Sequence, residues 1–205
     1  MSMIVNRRDL DFVLYETLDL ERILESDRYA DHDRESLDAM MDLCQTIAED
    51  QFLPCAAKLD ANEPQFVDGK VETISELKEA IGAYQEAGLC ASAYDLDVGG
   101  MQLPWMMDQA LNGMFVCANN PAHIYLFLTQ GVANMLNACG SDELKKKYLP
   151  NLVDGNWFGT MCLSEPQAGS SLADIRTKAD LNTDGSYSIS GTKMWISGGE
   201  QDITE

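Results

Sequence analysis

Residues 157–171 read Trp-Phe-Gly-Thr-Met-Cys-Leu-Ser-Glu-Pro-Gln-Ala-Gly-Ser-Ser, and residues 193–197 read Lys-Met-Trp-Ile-Ser. In the first stretch Trp157, Phe158, Met161 and Leu163 make an apolar run that stops at Ser164-Glu165-Pro166, which predicts a buried strand entering a loop. Pro166, Ala168, Gly169, Ser170 and Ser171 are small or rigid, so backbone amides and hydroxyls there can approach a ligand closely. Between the two stretches, Asn182-Thr-Asp-Gly185 is a hairpin signal, and Tyr187, Ile189, Met194 and Ile196 alternate beyond it as a second strand would. With the two strands side by side, the Ser164 loop faces Trp195-Ile196-Ser197. The result is a pocket with an aromatic floor and a rim of hydroxyl and amide donors, suited to a flat, electron-poor heterocycle. Periodicity alone favours an ordinary hairpin with a core tryptophan, because hydrophobic patterning reports burial and not ligands.

Residues 161–170 followed by 191–199, Gly-Thr-Lys-Met-Trp-Ile-Ser-Gly-Gly, resemble the paired flavin-binding signature of the acyl-CoA dehydrogenases. Residues 10–16, Leu-Asp-Phe-Val-Leu-Tyr-Glu, are similar to the opening of the larger members with an N-terminal extension, among them the 3-methylmercaptopropionyl-CoA dehydrogenases. The resemblance implies FAD as cofactor, lined by Met161, Leu163, Ser164, Gly169 and Ser170. Ser164 would lie near the pyrimidine side of the ring, and Ser170 near the pyrophosphate or the acyl-CoA chain, so Ser170 is also the candidate substrate contact. Trp195 would pack on the flavin edge beside Ile196, and Ser197 would hydrogen-bond the redox-active nitrogen. Two departures from the pattern are visible: serine at 164 and 197 where many members carry threonine, and Ser171 where aspartate is frequent.

The resemblance further implies α,β-dehydrogenation of an acyl-CoA thioester to a trans-2-enoyl-CoA. A carboxylate removes the α-proton while the β-hydrogen leaves as hydride to the flavin. An electron-transferring flavoprotein would take the electrons, and the whole protein would be a homo-oligomer. No glutamate here matches the family's catalytic position, and Glu165 belongs to the flavin-loop motif, so no catalytic residue is assigned. Two other readings stand beside this one: an acyl-CoA oxidase or flavin monooxygenase of the same fold, and a non-catalytic helical interaction module whose hairpin is structural.

Before residue 154 the apolar period is helical. Leu10, Val13, Leu14, Leu18 and Leu20 form a stripe that predicts a docking helix over 9–24, with 28–35 a polar link. Ser36 is the expected N-cap of a helix running to Phe52, where Pro54 interrupts. Residues 62–69 read as a loop, and 71–87 as a helix closed by Gly88. Pro104 suits the first turn of a methionine-rich helix through Phe115; residues 123–139 are a second apolar helix, and Ser141 caps a third. From residue 156 the period changes to two. The expected architecture is therefore mainly α with a partial β region: an N-terminal extension over 1–35, an all-α domain over 36–155 and the first strands of a middle β-barrel domain over 156–205. The chain stops in mid-pattern, which reads as an N-terminal fragment, inactive on its own.

Composition bounds the function. The formal net charge of −20 works against binding a polyanion such as nucleic acid. No apolar run reaches the roughly 18 residues of a membrane span, and the opening Met-Ser-Met-Ile-Val-Asn-Arg-Arg is not a signal peptide, which points to a cytoplasmic protein. The six cysteines, at 44, 55, 90, 117, 139 and 162, form no Cys-x-x-Cys pair and are expected as reduced core residues. His32 and His123 lack ligand-spaced companions, so no metal site is expected.

Overall fold

A computed structural model describes Ser2 and residues 4–204. Met1, Met3 and Glu205, on which the leader and chain-end readings partly rest, lie outside the described residues. The element order is α1 (Arg7–Asp11), α2 (Leu20–Leu24), α3 (Arg34–Ile47), α4 (Leu53–Ala61), β1 (Gln65–Val67), β2 (Lys70–Glu72), α5 (Ser75–Glu86), α6 (Trp105–Cys139), α7 (Asp142–Val153), β3 (Lys178–Leu181) and β4 (Tyr187–Ser190). Helices α3, α4, α5 and α7 all pack on α6. The two antiparallel pairs, β1 with β2 and β3 with β4, are separate small sheets. The chain is thus mainly α with a partial β region.

The helices bury what their period predicts. Leu37, Met41 and Cys44 of α3, Leu77 and Ile81 of α5, and Met107 and Phe115 of α6 are fully buried in one cluster. At its centre Phe115 stands edge-on to Phe52 and Tyr84, with ring centroids 4.9 and 4.8 Å away. The methionine face of α6 is therefore core, as Met107 and Met114 show.

Several boundaries differ from the sequence expectation. The docking helix breaks at Asp19, which adopts a left-handed φ of 52°; a π-helical turn over Phe12–Thr17 also rotates the stripe. In consequence Leu14, Tyr15 and Leu20 are buried, while Val13 and Leu18 are each 44 % exposed. The cap of α3 is Asp33 and not Ser36. Ser36 sits at the third helical position, donating its amide to the Asp33 carboxylate and accepting from the Asp33 amide, a reciprocal capping box. Pro54 does not end the helix, because a π-helical turn over Ala48–Phe52 absorbs the proline and α4 continues beyond it. Residues 65–72 form a hairpin in place of a plain loop and helix start.

Helix α6 holds both apolar helices expected between 105 and 139, joined at a kink where Asn119 leaves helical geometry (φ −162°, ψ 85°) two residues before Pro121. The Asn119 side chain holds the kink: it accepts from the Ala122 amide (3.1 Å) and donates to the Phe52 carbonyl (3.1 Å). Ser141 caps α7 as expected, accepting from the Leu144 amide. Of the cysteines, all free, only Cys44 and Cys55 are buried; Cys90 is half-buried, and Cys117, Cys139 and Cys162 are exposed, because their helix or loop faces lack a covering layer. Among the described residues no helix is long and apolar enough to cross a membrane, and no His, Cys, Asp and Glu group could hold a metal ion.

His123 gives the core a pH response. Its ring stacks on Phe115, and its Nε2 lies 3.0 Å from the Asn112 Oδ1 that also accepts the Tyr84 hydroxyl. Burial pulls the His123 pKa from 6.5 down to about 4. A depressed histidine pKa means the unfolded chain binds the proton first, so stability falls as pH drops from 6.5 towards 4, by up to about 3 kcal/mol. Asp108 works in the opposite sense: burial raises its pKa from 3.8, so protonation favours the folded state as pH falls. The His123→Gln variant keeps a donor towards Asn112 and should flatten the decline of urea stability between pH 6.5 and 4. An unchanged slope would count against this account.

Candidate functional site

Residues 157–164 are not a strand. They run as irregular backbone along α6, because the partners available offer single bonds and no continuous ladder. The Gly159 amide donates to the Thr129 hydroxyl at 3.1 Å, and the Phe158 ring stacks on Tyr125 at 6.5 Å. Glycine is required at 159, since a Cβ there would sit 2.6 Å from Val132. Nor is the run buried: Trp157 and Phe158 are half-buried, while Met161 is 63 % and Leu163 40 % exposed.

The hairpin expected at Asp184-Gly185 is present, with Lys178 opposite Ser190 and Leu181 opposite Tyr187. It pairs β4 with β3, however, and β4 stops at Ser190. Residues 191–199 leave as irregular chain, so Met194 and Ile196 are not in a strand. This segment returns antiparallel to 160–164. The Thr160 hydroxyl donates to the Ser197 carbonyl, and the Met194 amide donates to the Ser164 carbonyl at 3.1 Å.

Glu165 and Lys193 lock the two segments together. The Lys193 ammonium donates to Glu165 Oε1 (2.8 Å) and to the Leu163 carbonyl (3.1 Å). The same carboxylate accepts from the Arg176 amide (2.8 Å), the Thr177 amide (3.0 Å) and Gln167 (2.6 Å). The Glu165 side chain is 2 % exposed. Lys193 above all, with the Thr177 and Arg176 donors, holds its carboxyl far below the usual carboxylate range. A carboxylate with its acceptor sites this filled is a brace and a poor proton acceptor. The sequence reading placed Glu165 in the motif without seeing its partner. A signal was available, since Lys193 is the only basic residue after Lys178.

The brace joins the two segments that carry the remaining candidate residues. Trp195 has a left-handed φ of 59° and is 84 % exposed. Ser164 and Ile196 are half-buried, and Gly169, Ser170 and Ser197 are exposed. Glu165 and Ala168 exchange backbone hydrogen bonds at 2.8 and 3.0 Å, closing the loop that carries Gly169 and Ser170. Open grooves flank the Ser197-Gly198 corner, one of about 350 Å³ against Pro121, Ile124 and Tyr125 and one of about 260 Å³ against Phe158 and Thr160. A third, about 370 Å³, lies between Val132, Leu136, Tyr148 and Trp157.

Comparison with known proteins decides the family. The family described as Acyl-CoA dehydrogenase, N-terminal domain, matches residues 34–156. The chain belongs to the acyl-CoA dehydrogenase family. A butyryl-CoA dehydrogenase of Syntrophomonas wolfei is 31% identical over 203 residues, covering 96% of this chain and 33% of the relative. A 3-methylmercaptopropionyl-CoA dehydrogenase of Ruegeria pomeroyi is 34% identical over 156 residues, covering 76% of this chain and 26% of the relative. The chain therefore spans a third or less of these relatives' length. Among solved structures, an acyl-CoA dehydrogenase from Bacillus anthracis complexed with FAD superposes with a TM-score of 0.67 at 25% identity, over 82% of this chain and 27% of that one. The match to acyl-CoA dehydrogenases over the helical part agrees with the mainly α fold class read from the sequence.

Proposed function

We propose that this chain is the flavin-positioning part of an FAD-dependent acyl-CoA dehydrogenase. The observation that carries the reading is the exposed apolar surface of Met161, Leu163 and Trp195, on two segments that the Met194–Ser164 and Thr160–Ser197 bonds join. It is left open to water, yet a buried Glu165–Lys193 pair braces it against two serines. A flat aromatic ring would cover that surface, with the Ser164 and Ser197 hydroxyls placed at its polar edge. Gly169 supports the fit, because a Cβ built there meets nothing within 4 Å and leaves room beside Ser170 for a phosphate or an acyl-CoA. On this reading residues 1–35 are an extension, 36–155 a helical domain and 156–205 the opening of a β-domain.

Bound flavin would supply the hydride acceptor for α,β-dehydrogenation of an acyl-CoA, with an electron-transferring flavoprotein as the next acceptor. The chain's own residues bind and orient. Trp195, Met161 and Leu163 exclude water from the ring face, Ser197 donates at its edge, and Ser170 borders the substrate. Glu165 cannot serve as the base, being held ionised by four donors, so the chain alone should bind flavin without turning over an acyl-CoA.

The test is titration of the purified chain with FAD, followed by the visible absorbance and fluorescence of the flavin. Saturable binding is expected, weakened about tenfold by Ser197→Ala. A chain that is folded by circular dichroism yet leaves the FAD spectrum unchanged at every concentration would overturn the reading.

A further inference from the structure

The segment 191–204 has no regular secondary structure, so its shape depends on tertiary anchors. Towards its start the anchors are Lys193 on Glu165 and the Met194 amide on the Ser164 carbonyl. Beyond Ser197, whose carbonyl accepts from the Thr160 hydroxyl, the polar anchor to the helical body is Asp202. One Asp202 oxygen accepts both the Thr73 amide (3.2 Å) and the Thr73 hydroxyl (2.6 Å), and the other pairs with the Lys78 ammonium at 2.8 Å. Thr73 and Lys78 flank the start of α5, 129 and 124 residues earlier in the chain, where a helix N-terminus also favours negative charge. Next to it Ile203 packs on the main hydrophobic cluster, and Gln201 accepts from the Ile203 and Thr204 amides at 2.6 and 2.9 Å.

We infer that Asp202 is a positioning residue: clamped on Thr73 and Lys78, it holds the 194–199 corner, and with it Ser197 and Trp195, at a set distance from the helical body. The inference rests on the flavin reading of that corner. The Thr160 hydroxyl already joins Ser197 to the 160–164 segment, and Asp202 ties that joined pair to the helical body at the start of α5. Asp202 touches neither flavin nor substrate on this account. It acts through the four residues between itself and Ser197. Its side chain is 29 % exposed, and although burial works against the ionised form, Lys78 and Thr73 outweigh it and keep the carboxyl below its ordinary range.

Two measurements separate this inference from the reading beneath it. The first is hydrogen exchange without flavin, comparing wild type with Asp202→Ala and with Thr73→Val, which removes one hydroxyl and keeps the Lys78 pair. Exchange across 193–199 should quicken at least about fivefold in D202A, and less in T73V, while α3 and α6 stay protected. Unchanged exchange in both variants overturns the inference, and T73V decides it should D202A not fold. The second is FAD titration of the same proteins with the bound-flavin absorbance and circular dichroism recorded. D202A should weaken FAD about fivefold and alter the bound-flavin spectrum, with D202N between it and wild type, since the amide oxygen still accepts from Thr73. Faster exchange with identical FAD affinity and spectrum would also overturn it, leaving Asp202 a plain structural clamp. Should wild type itself bind no FAD, the flavin reading fails, and the role of Asp202 towards a flavin falls with it even if the exchange result holds.

Discussion

Phe115→Ala is expected to destabilise the chain by about 3–5 kcal/mol, enough to unfold much of a marginal domain. The ring has no exposure and sits edge-on to Phe52 and Tyr84, with the His123 imidazole stacked on its other side. These neighbours come from the π-helical turn before α4, from α5 and from the half of α6 beyond the kink. No single element can collapse into the space without dragging the others, so the cavity persists and its cost adds to the lost transfer free energy. Urea denaturation of F115A beside Phe115→Leu measures it. The leucine variant, which refills most of the volume, should recover more than half of the loss. If F115A costs under about 1 kcal/mol, this aromatic cluster is not the organising centre of the core.

Glu165→Gln is expected to separate the two motif segments and weaken flavin binding at least about tenfold. The substitution keeps the shape but turns one acceptor into a donor, aimed at a site already crowded with donors from Lys193, Arg176, Thr177 and Gln167. The Lys193 ammonium, 22 % exposed, would lose the one carboxylate it pairs with among the described residues. Exchange protection at the Arg176 and Thr177 amides should fall, while the helical core keeps its own. The pH sense follows from the depressed carboxyl. Its contribution is complete above the ordinary value of 4.5 and disappears as pH falls through the lower folded-state value. Wild-type protein should therefore hold the two segments together well below pH 4.5, where E165Q is already loose. Equal flavin affinity for E165Q and wild type would show that the brace is dispensable.

Much of the helical part was legible because α-helical period and punctuation are local. Leu77 and Ile81 point inward as their spacing demands, Gly88 ends α5 at a left-handed φ of 71°, and Ser141 caps α7. The hairpin at Asp184-Gly185 was equally local, since its turn residues set its register. The boundaries that moved are those with a competing local device: Asp33 outcompetes Ser36 as a cap by bonding it, and a π-helical turn accommodates Pro54.

By itself, then, the sequence determined a helical body, a hairpin near its end and a paired motif of small, hydroxyl and aromatic residues. The tertiary structure alone decided how that motif is built. An apolar run such as 157–163 specifies which side chains avoid water, but a strand also needs a neighbour with free amides and carbonyls at matching spacing, and α6 offers only the Thr129 hydroxyl. The bonds that replace a ladder join Glu165 to Lys193, Thr160 to Ser197 and Asp202 to Thr73, across 28, 37 and 129 residues. No periodicity encodes contacts of that separation, because they exist only once the core has brought their elements together.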